Sequence, residues 1–245
     1  MTESAWFIAP PADWSGDQVL LSSEETHHAL RVLRLRAGDP LTVTDGRGRV
    51  ARCSLVETRG ARATARIVQE SRRARPGPEL ALYQAAPKGT KMDEVVEHCT
   101  GLGVAEVCVF ESGRTVVRWD GTKRQRLVSR WQGIAFASAK QSRNPYLTVI
   151  EPIVSWELLL EGLRHERFAV ALWEEATLPL RRVLPAKPSR AALVVGPEGG
   201  FSRQEAASLQ DAGATPVALG PRILRTELAP VVAASALLWH YGVIG

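Results

Sequence analysis

The chain is short of the residues that announce several common chemistries. Its three cysteines, Cys53, Cys99 and Cys108, are an odd number and show no CxxC or metal-finger spacing. Neither a disulfide scaffold nor a metal site is indicated, and reduced thiols in a cytoplasmic protein are the simplest expectation. Each thiol reads as a small buried apolar residue. Long apolar runs are also missing. The longest near the C-terminus, Val231 to Ile244, is interrupted by Ser235, His240 and Gly242. It is too short to cross a bilayer and reads as a buried helix, so no membrane partner is expected. The opening Met1-Thr-Glu-Ser4 lacks the basic and then apolar stretches of a signal peptide.

What is present is an ordinary globular composition with a basic bias. The 245 residues are 45% hydrophobic and 23% charged, enough for one large domain or two small ones. The net charge is +5, but its distribution says more than its size. From Arg31 to Arg75 there are twelve arginines and no lysine against four acids. Planar guanidinium forks grip phosphate oxygens in pairs, which makes nucleic acid a candidate partner. A solvated basic face is the plainer alternative.

Two regions differ in pattern. The first seventy or so residues read as a β-rich module. Ser22 and Glu25 have capping-box spacing and open a short helix through Leu33. Alternating segments follow at 41–44, 50–56 and 61–68, the first two joined by the turn Asp45-Gly-Arg-Gly48. Short strands with tight turns suggest a small barrel or sandwich. Ser71 to Pro78, basic and holding two prolines and a glycine, is the linker candidate. Beyond it, strand-like runs (80–85, 104–110, 168–173, 191–195, 216–219) alternate with helical stretches (91–100, 122–139, 155–163, 203–212). That alternation predicts an α/β domain on a mainly parallel sheet. The expected division is therefore 1–72 and 76–245.

Two loops carry the chemistry. A buried strand ends at Val195, the chain turns through Gly196-Pro-Glu-Gly-Gly200, and Ser202 with Glu205 spells the capping box of a helix that stops at Gly213. A glycine loop at a strand's C-terminal end, just before a helix, is where open α/β sheets bind ligands. The loop has neither the Gly-Lys-Ser/Thr of a P-loop nor the dinucleotide fingerprint. Glu198 would repel a phosphate, so a ligand rich in amines, hydroxyls or positive charge fits better. A plain turn is the structural alternative. The second loop, Leu219-Gly-Pro-Arg-Ile-Leu-Arg-Thr-Glu227, follows another strand and precedes the last helix. Thr226 is positioned to cap that helix, and Pro230 falls in its first turn.

These stretches resemble the ribosomal small subunit methyltransferase E family, which methylates uridine N3 in 16S rRNA. The resemblance spans nearly the whole chain. It runs through His28-Ala-Leu-Arg-Val-Leu-Arg34, Gly38-Asp39, Asp45-Gly46, Lys88-Gly-Thr-Lys-Met-Asp93, Leu102-Gly103, Val117-Arg-Trp119, Lys140-Gln-Ser-Arg143 and the two C-terminal loops. It implies a PUA-like β-barrel that binds RNA, followed by a SPOUT-type α/β domain with a trefoil knot within about 168–245. It also implies a homodimer acting on 16S rRNA in the small ribosomal subunit, near the decoding region, with S-adenosyl-L-methionine held in the knot. The chain departs from the family pattern at Gly101, where an acid is common, and at Leu228-Ala229-Pro230, where Thr-Ala commonly follows Arg-Thr-Glu.

The resemblance assigns the cofactor to Leu172, Glu174, Val195, Gly196, Glu198, Gly199, Gly200, Leu219, Gly220, Ile223, Leu224 and Arg225. Uracil N3 is a poor nucleophile while it keeps its proton. Arg225 is the candidate for stabilising negative charge on the base, and Glu227 the nearby candidate general base. Arg31, Arg34, Lys88, Lys91, Gln141 and Arg143 are candidates for the RNA path. His27 and His28 read as structural or surface residues, and Trp119 and Trp131 as core. Two other functions compete. One is an RNA-binding ribosome-assembly protein of the same fold without activity. The other, suggested only by strand–loop–helix order, is a nucleotide-binding oxidoreductase.

Overall fold

A computed structural model describes residues 4–59, 61–113 and 119–245. Val117 and Arg118 of the family resemblance lie outside the described residues. The chain forms two compact units, Met1–Arg75 with Ala139–Leu147, and Pro76–Ser138 with Thr148–Gly245. The first unit thus takes in a later segment, 139–147, that nothing local in the sequence assigns to it.

In the first unit the elements are β1 (Ala5–Ile8), β2 (Trp14–Ser15), β3 (Gln18–Leu20), α1 (Ser23–His27), β4 (Pro40–Thr44), β5 (Arg49–Arg59) and β6 (Arg62–Arg72). They make one six-stranded sheet in the order β1-β4-β5-β6-β3-β2. β1 pairs with β4 in parallel and the other neighbours are antiparallel. Alternation sets the core: Ala51, Cys53 and Leu55 of β5 face inward with Ala63 and Ala65 of β6, and Phe7, Leu21, Leu41 and Val43 close around them. The expected turn at 45–48 forms because the Asp45 carboxylate accepts the backbone N–H groups of Arg47 and Arg49. β1, β2 and β3 were not expected, and β2 and β3 are too short to show a period.

The capping box expected at Ser22 is only half present. Ser22 Oγ accepts the N–H of Glu25, but the Glu25 carboxylate does not turn back. It is buried and accepts from Lys140 Nζ, an ion pair that ties α1 to the segment 139–147. The following residues, 28–32, widen into a π-helical turn.

The second unit contains β7 (Glu79–Ala85), α2 (Lys91–Leu102), β8 (Glu106–Glu111), α3 (Gly121–Gln141), β9 (Val149–Ile150), β10 (Val154–Ser155), α4 (Trp156–Leu163), β11 (Ala169–Leu172), β12 (Arg190–Val195), α5 (Arg203–Asp211), β13 (Ala214–Val217) and α6 (Ala229–His240). The end of α3, from Ala139 on, belongs to the first unit. All strand pairs are parallel, in the order β10-β8-β7-β12-β11-β13, with β9 also beside β8. Both faces are covered, as a parallel sheet requires. Leu80 and Leu82 of β7 and Leu193 of β12 meet α2, α3 and α6 through Val95, Trp131 and Leu237. The alternate residues Ala81, Tyr83 and Val194 meet α4 and α5 through Leu159 and Leu209. Trp131 is a core residue as expected, with Trp119 edge-on to it.

Strand order places the ligand side. β7 sends its connection through α2 to β8 on one side, whereas β12 sends its own through α5 to β13 on the other. Neighbouring strands whose connections diverge leave a crevice at their carboxyl ends, and the two glycine loops are there.

Candidate active site

The first loop is fixed at both ends. Beyond β12, Ser202 and Glu205 form the full reciprocal capping box of α5, as the sequence predicts. The Trp173 indole N–H donates to the Phe201 carbonyl at 3.1 Å, fastening the loop to the end of β11. Gly200 has φ +64°, and the space an added Cβ would need is held by the Glu174 carboxylate. The backbone turn and the seat of Glu174 both require glycine there.

The second loop leaves β13 alongside 173–180: Trp173 N–H donates to Val217 O, and Ala218 N–H to Leu178 O. Thr226 does not cap α6. Its hydroxyl turns inward and donates to the Gly196 carbonyl at 2.7 Å. It also accepts from the side-chain amide of Gln84 at 3.0 Å. The residue at the N-cap of α6 is Leu228, without a side-chain cap, and Pro230 sits in the first turn as expected. The helix starts without a polar cap because the nearest hydroxyl is committed to joining the two loops.

Between the loops and the end of β11 lies a cleft of about 380 Å³. Of the twelve expected cofactor residues, eleven line it: Leu172, Glu174, Val195, Gly196, Glu198, Gly200, Leu219, Gly220, Ile223, Leu224 and Arg225. Gly199 does not. The walls also include Trp173, Pro197, Arg222 and Thr226, which lie within the site segments read from the sequence, and Val217, Ala218 and Ala229, which lie outside them. Trp173 and Thr226 stand beside or within segments already singled out. Their separate roles had no local signal.

Lys91, expected on an RNA path, lines the same cleft. Its Nζ lies 2.9 Å from Glu198 Oε1 and 3.5 Å from Glu227 Oε2. Glu198 also accepts the backbone N–H of Lys88. Burial works to raise the Glu198 pKa, but the hydrogen bonds from Lys91 and from the Lys88 backbone outweigh it and hold the carboxyl below its ordinary value. The hydrogen bond to Glu198, helped by Glu227, pushes the Lys91 ammonium upward.

Arg225 projects into solvent at the cleft, its side chain 85% exposed. Glu227 does not line the cleft. Its carboxylate lies between Lys91 and Arg225, the latter at 3.9 Å. Of the other RNA candidates, Lys88 is exposed in the second unit, while Arg31, Arg34, Gln141 and Arg143 belong to the first. Arg34 and Arg143 are the two non-glycine residues with positive φ among the described residues, +56° and +55°. Of the departures, Gly101 is within α2 and Leu228 is not among the residues of the cleft walls, whereas Ala229 beside it is. Among the described residues there is no group of three or more His, Cys, Asp or Glu that could hold a metal ion. Among the described residues no helix is long and apolar enough to cross a membrane.

Backbone-rich walls, apolar side chains for a flat heterocycle and two carboxylates suit a small ligand carrying hydroxyls and positive charge. S-adenosylmethionine, with its ribose, ammonium and sulfonium, fits that donor set; a phosphate-rich dinucleotide does not. Comparison with known proteins agrees. The family of the RNA methyltransferase domain matches residues 75–238, and that of the RNA methyltransferase PUA domain matches 21–68. The class is thus an RNA methyltransferase with an N-terminal PUA domain. More narrowly, the chain belongs to the ribosomal RNA small subunit methyltransferase E family. It is 33% identical to the Mycobacterium bovis protein of that name over 91% of this chain and 87% of that one. Identity to the Bacillus subtilis protein is 28%, over 90% and 89%. The Neisseria gonorrhoeae protein of the family, solved with S-adenosyl methionine bound, is 27% identical with a TM-score of 0.85, covering 97% of this chain and 98% of that one.

Proposed function

We propose that this protein transfers a methyl group from S-adenosylmethionine to N3 of a uridine in 16S rRNA of the small ribosomal subunit, near the decoding region. The observation that carries the reading is the cleft, whose two loops come from the two segments most specific to the family and are bound to each other through Thr226 and Gly196. We take the knot to arise where the second loop and α6 pass the connection 173–189.

The cofactor supplies an electrophilic methyl carbon on a sulfonium. The chain's own task is to hold and orient that group and to manage charge on the base. Leu172, Val195, Leu219 and Leu224 with the backbone of Gly196, Glu198 and Gly200 form the seat, and Gly199 shapes the loop. Glu174 and Glu198 complement positive charge. Arg225, exposed at the cleft, stabilises the anion that develops on the uracil as N3 gives up its proton to solvent water. Glu227 serves as counter-ion to Arg225 and Lys91, orienting the arginine; proton removal by it would break both pairings. Arg31, Arg34, Gln141 and Arg143, with Lys88, contact the RNA, where a base can be taken only from an unpaired or splayed strand. The two arginines held at positive φ support this, since strained backbone collects at functional positions.

The functional form is a homodimer. Leu228, Val232 and Trp239 are exposed at spacings of four and seven along one side of α6, a stripe of apolar surface suited to a second copy. A cytoplasmic site of action fits the reduced thiols. The reading is tested by calorimetric titration with S-adenosylmethionine, followed by tritium transfer to small subunits and to deproteinised rRNA. Binding together with transfer supports it. Binding without transfer to either substrate would leave the assembly-protein reading in its place.

A further inference from the structure

Gln84 lies at the carboxyl end of β7, away from every sequence motif of the family resemblance, yet it is completely buried. It stands across from Val195 in the β7–β12 register, directly beneath the first glycine loop. Its Nε2 donates to Thr226 Oγ1 at 3.0 Å and to the Ala85 carbonyl at 3.1 Å, with the Gly196 carbonyl 3.5 Å away. Thr226, having accepted that bond, has its own proton for Gly196 O at 2.7 Å. A relay thus runs from the sheet, through one hydroxyl, to the turn of the opposite loop. The amide can sit only this way round. Exchanging its ends would set an oxygen against the carbonyl oxygens of Ala85 and Gly196. Its own Oε1 is buried without a hydrogen-bond partner. A buried polar group left half-satisfied costs stability, and an apolar residue of similar size would fill the space without that cost. Packing does not explain a glutamine here; the donor does.

We propose that Gln84 is a positioning residue for methyl transfer. By donating to Thr226 it fixes the second loop against the first, and through Thr226 it sets the flanking Arg225 and Glu227. Lys91, paired with Glu198 and Glu227 at the cleft, joins the same loops by ion pairs open to solvent. Gln84 supplies the buried, directional tie. The inference rests on the methyltransferase reading above, and it predicts that the fold survives loss of the tie while the geometry of the cleft does not.

The experiment is a double-variant cycle of Gln84→Leu and Thr226→Val, with Thr226→Ser and Gln84→Glu beside it. Two readouts are taken: hydrogen exchange on the cofactor-free protein, and kcat and KM for methyl transfer to small subunits. In Gln84→Leu, exchange should quicken at the amides of Leu228 and Ala229, which bond to Arg225 O, while those of β7 and β12 stay protected. kcat should fall by about tenfold to a hundredfold, the order of loss produced by an ångström of misplacement. The double variant should be no worse than Thr226→Val alone, because both changes cut one relay. Thr226→Ser keeps the hydroxyl and should retain far more of kcat than Thr226→Val. Gln84→Glu, which places an oxygen against Gly196 O, should do at least as badly as leucine. Additive losses in the double variant, or unchanged exchange at 228–229, would overturn the proposal. If Gln84→Leu fails to fold, the glutamate and serine variants decide alone. A wild-type protein that transferred no methyl group would instead remove the functional reading, with the exchange experiment still testing the tie.

Discussion

Replacing Gly200 by alanine should harm the protein in two separable ways. The first is backbone strain. At φ +64° a side chain costs about 1–2 kcal/mol. The second is local: the new methyl would enter the space of the Glu174 carboxylate, which must then swing out of the cleft. Gly242 is the control. It has φ +67° and nothing within 4 Å of an added Cβ, so Gly242→Ala carries the first cost alone. For a chain of this size each kcal/mol lowers Tm by about 2–4 °C, so both variants should melt about 2–8 °C below the parent, Gly200→Ala at the lower temperature. Only Gly200→Ala should also weaken S-adenosylmethionine, by tenfold or more, equivalent to about 1.4 kcal/mol. Scanning calorimetry and isothermal titration give both numbers. Equal melting shifts with cofactor affinity intact in both variants would rule out a clash between the new methyl and Glu174.

Four further outcomes are expected. Arg225→Ala should lower kcat by about a hundredfold to a thousandfold, the loss seen when a charge-stabilising donor is removed, with cofactor affinity measured by titration falling far less. Lys140→Met leaves the buried Glu25 carboxylate unpaired and should cost about 3–5 kcal/mol in urea unfolding; a loss under about 1 kcal/mol would mean the pair behaves as a surface one. The Lys91–Glu198 pair should stabilise the cleft across neutral pH. That contribution is lost as pH falls through the depressed Glu198 pKa, below the ordinary 4.5, and again as pH climbs through the raised Lys91 pKa, above 10.5; the acid limb should vanish from the stability profile of Glu198→Gln. Burial pushes the thiols of Cys53, Cys99 and Cys108 up to about 11, 12 and 12, so iodoacetamide at pH 8 should label none of them until the protein is unfolded, as mass spectrometry would show.

Local signals were legible in the sequence. The reciprocal box at Ser202 and Glu205 forms as spelled, because both partners lie within one turn. The alternating β and α segments of the second unit appear within a few residues of their expected bounds, because each strand is buried on both faces and each helix has its own apolar stripe. Where a side chain has a distant partner, local spelling misled. Glu25 has the spacing of a capping residue but meets Lys140, 115 positions away. Thr226 has the place of a helix cap but meets Gly196 and Gln84, 30 and 142 positions away. Gln84 gave no signal at all, since one polar residue inside the strand run 80–85 has no pattern of its own to mark it. Lys91 looked like a basic residue free for RNA because its acidic partners stand in loops more than a hundred positions further on. Strands of two or three residues, such as β2 and β9, are too short for any period to show.

The modified nucleoside is the most direct readout of the proposed activity. Mass mapping of 16S rRNA from a strain lacking the gene, compared with the same strain after the gene is restored, reads it without assumption about substrate form. 3-Methyluridine should be missing from the first and return in the second, and it should not return with Arg225→Ala. Loss of a methyl group from a cytidine or guanosine, with 3-methyluridine intact, would contradict the proposed activity.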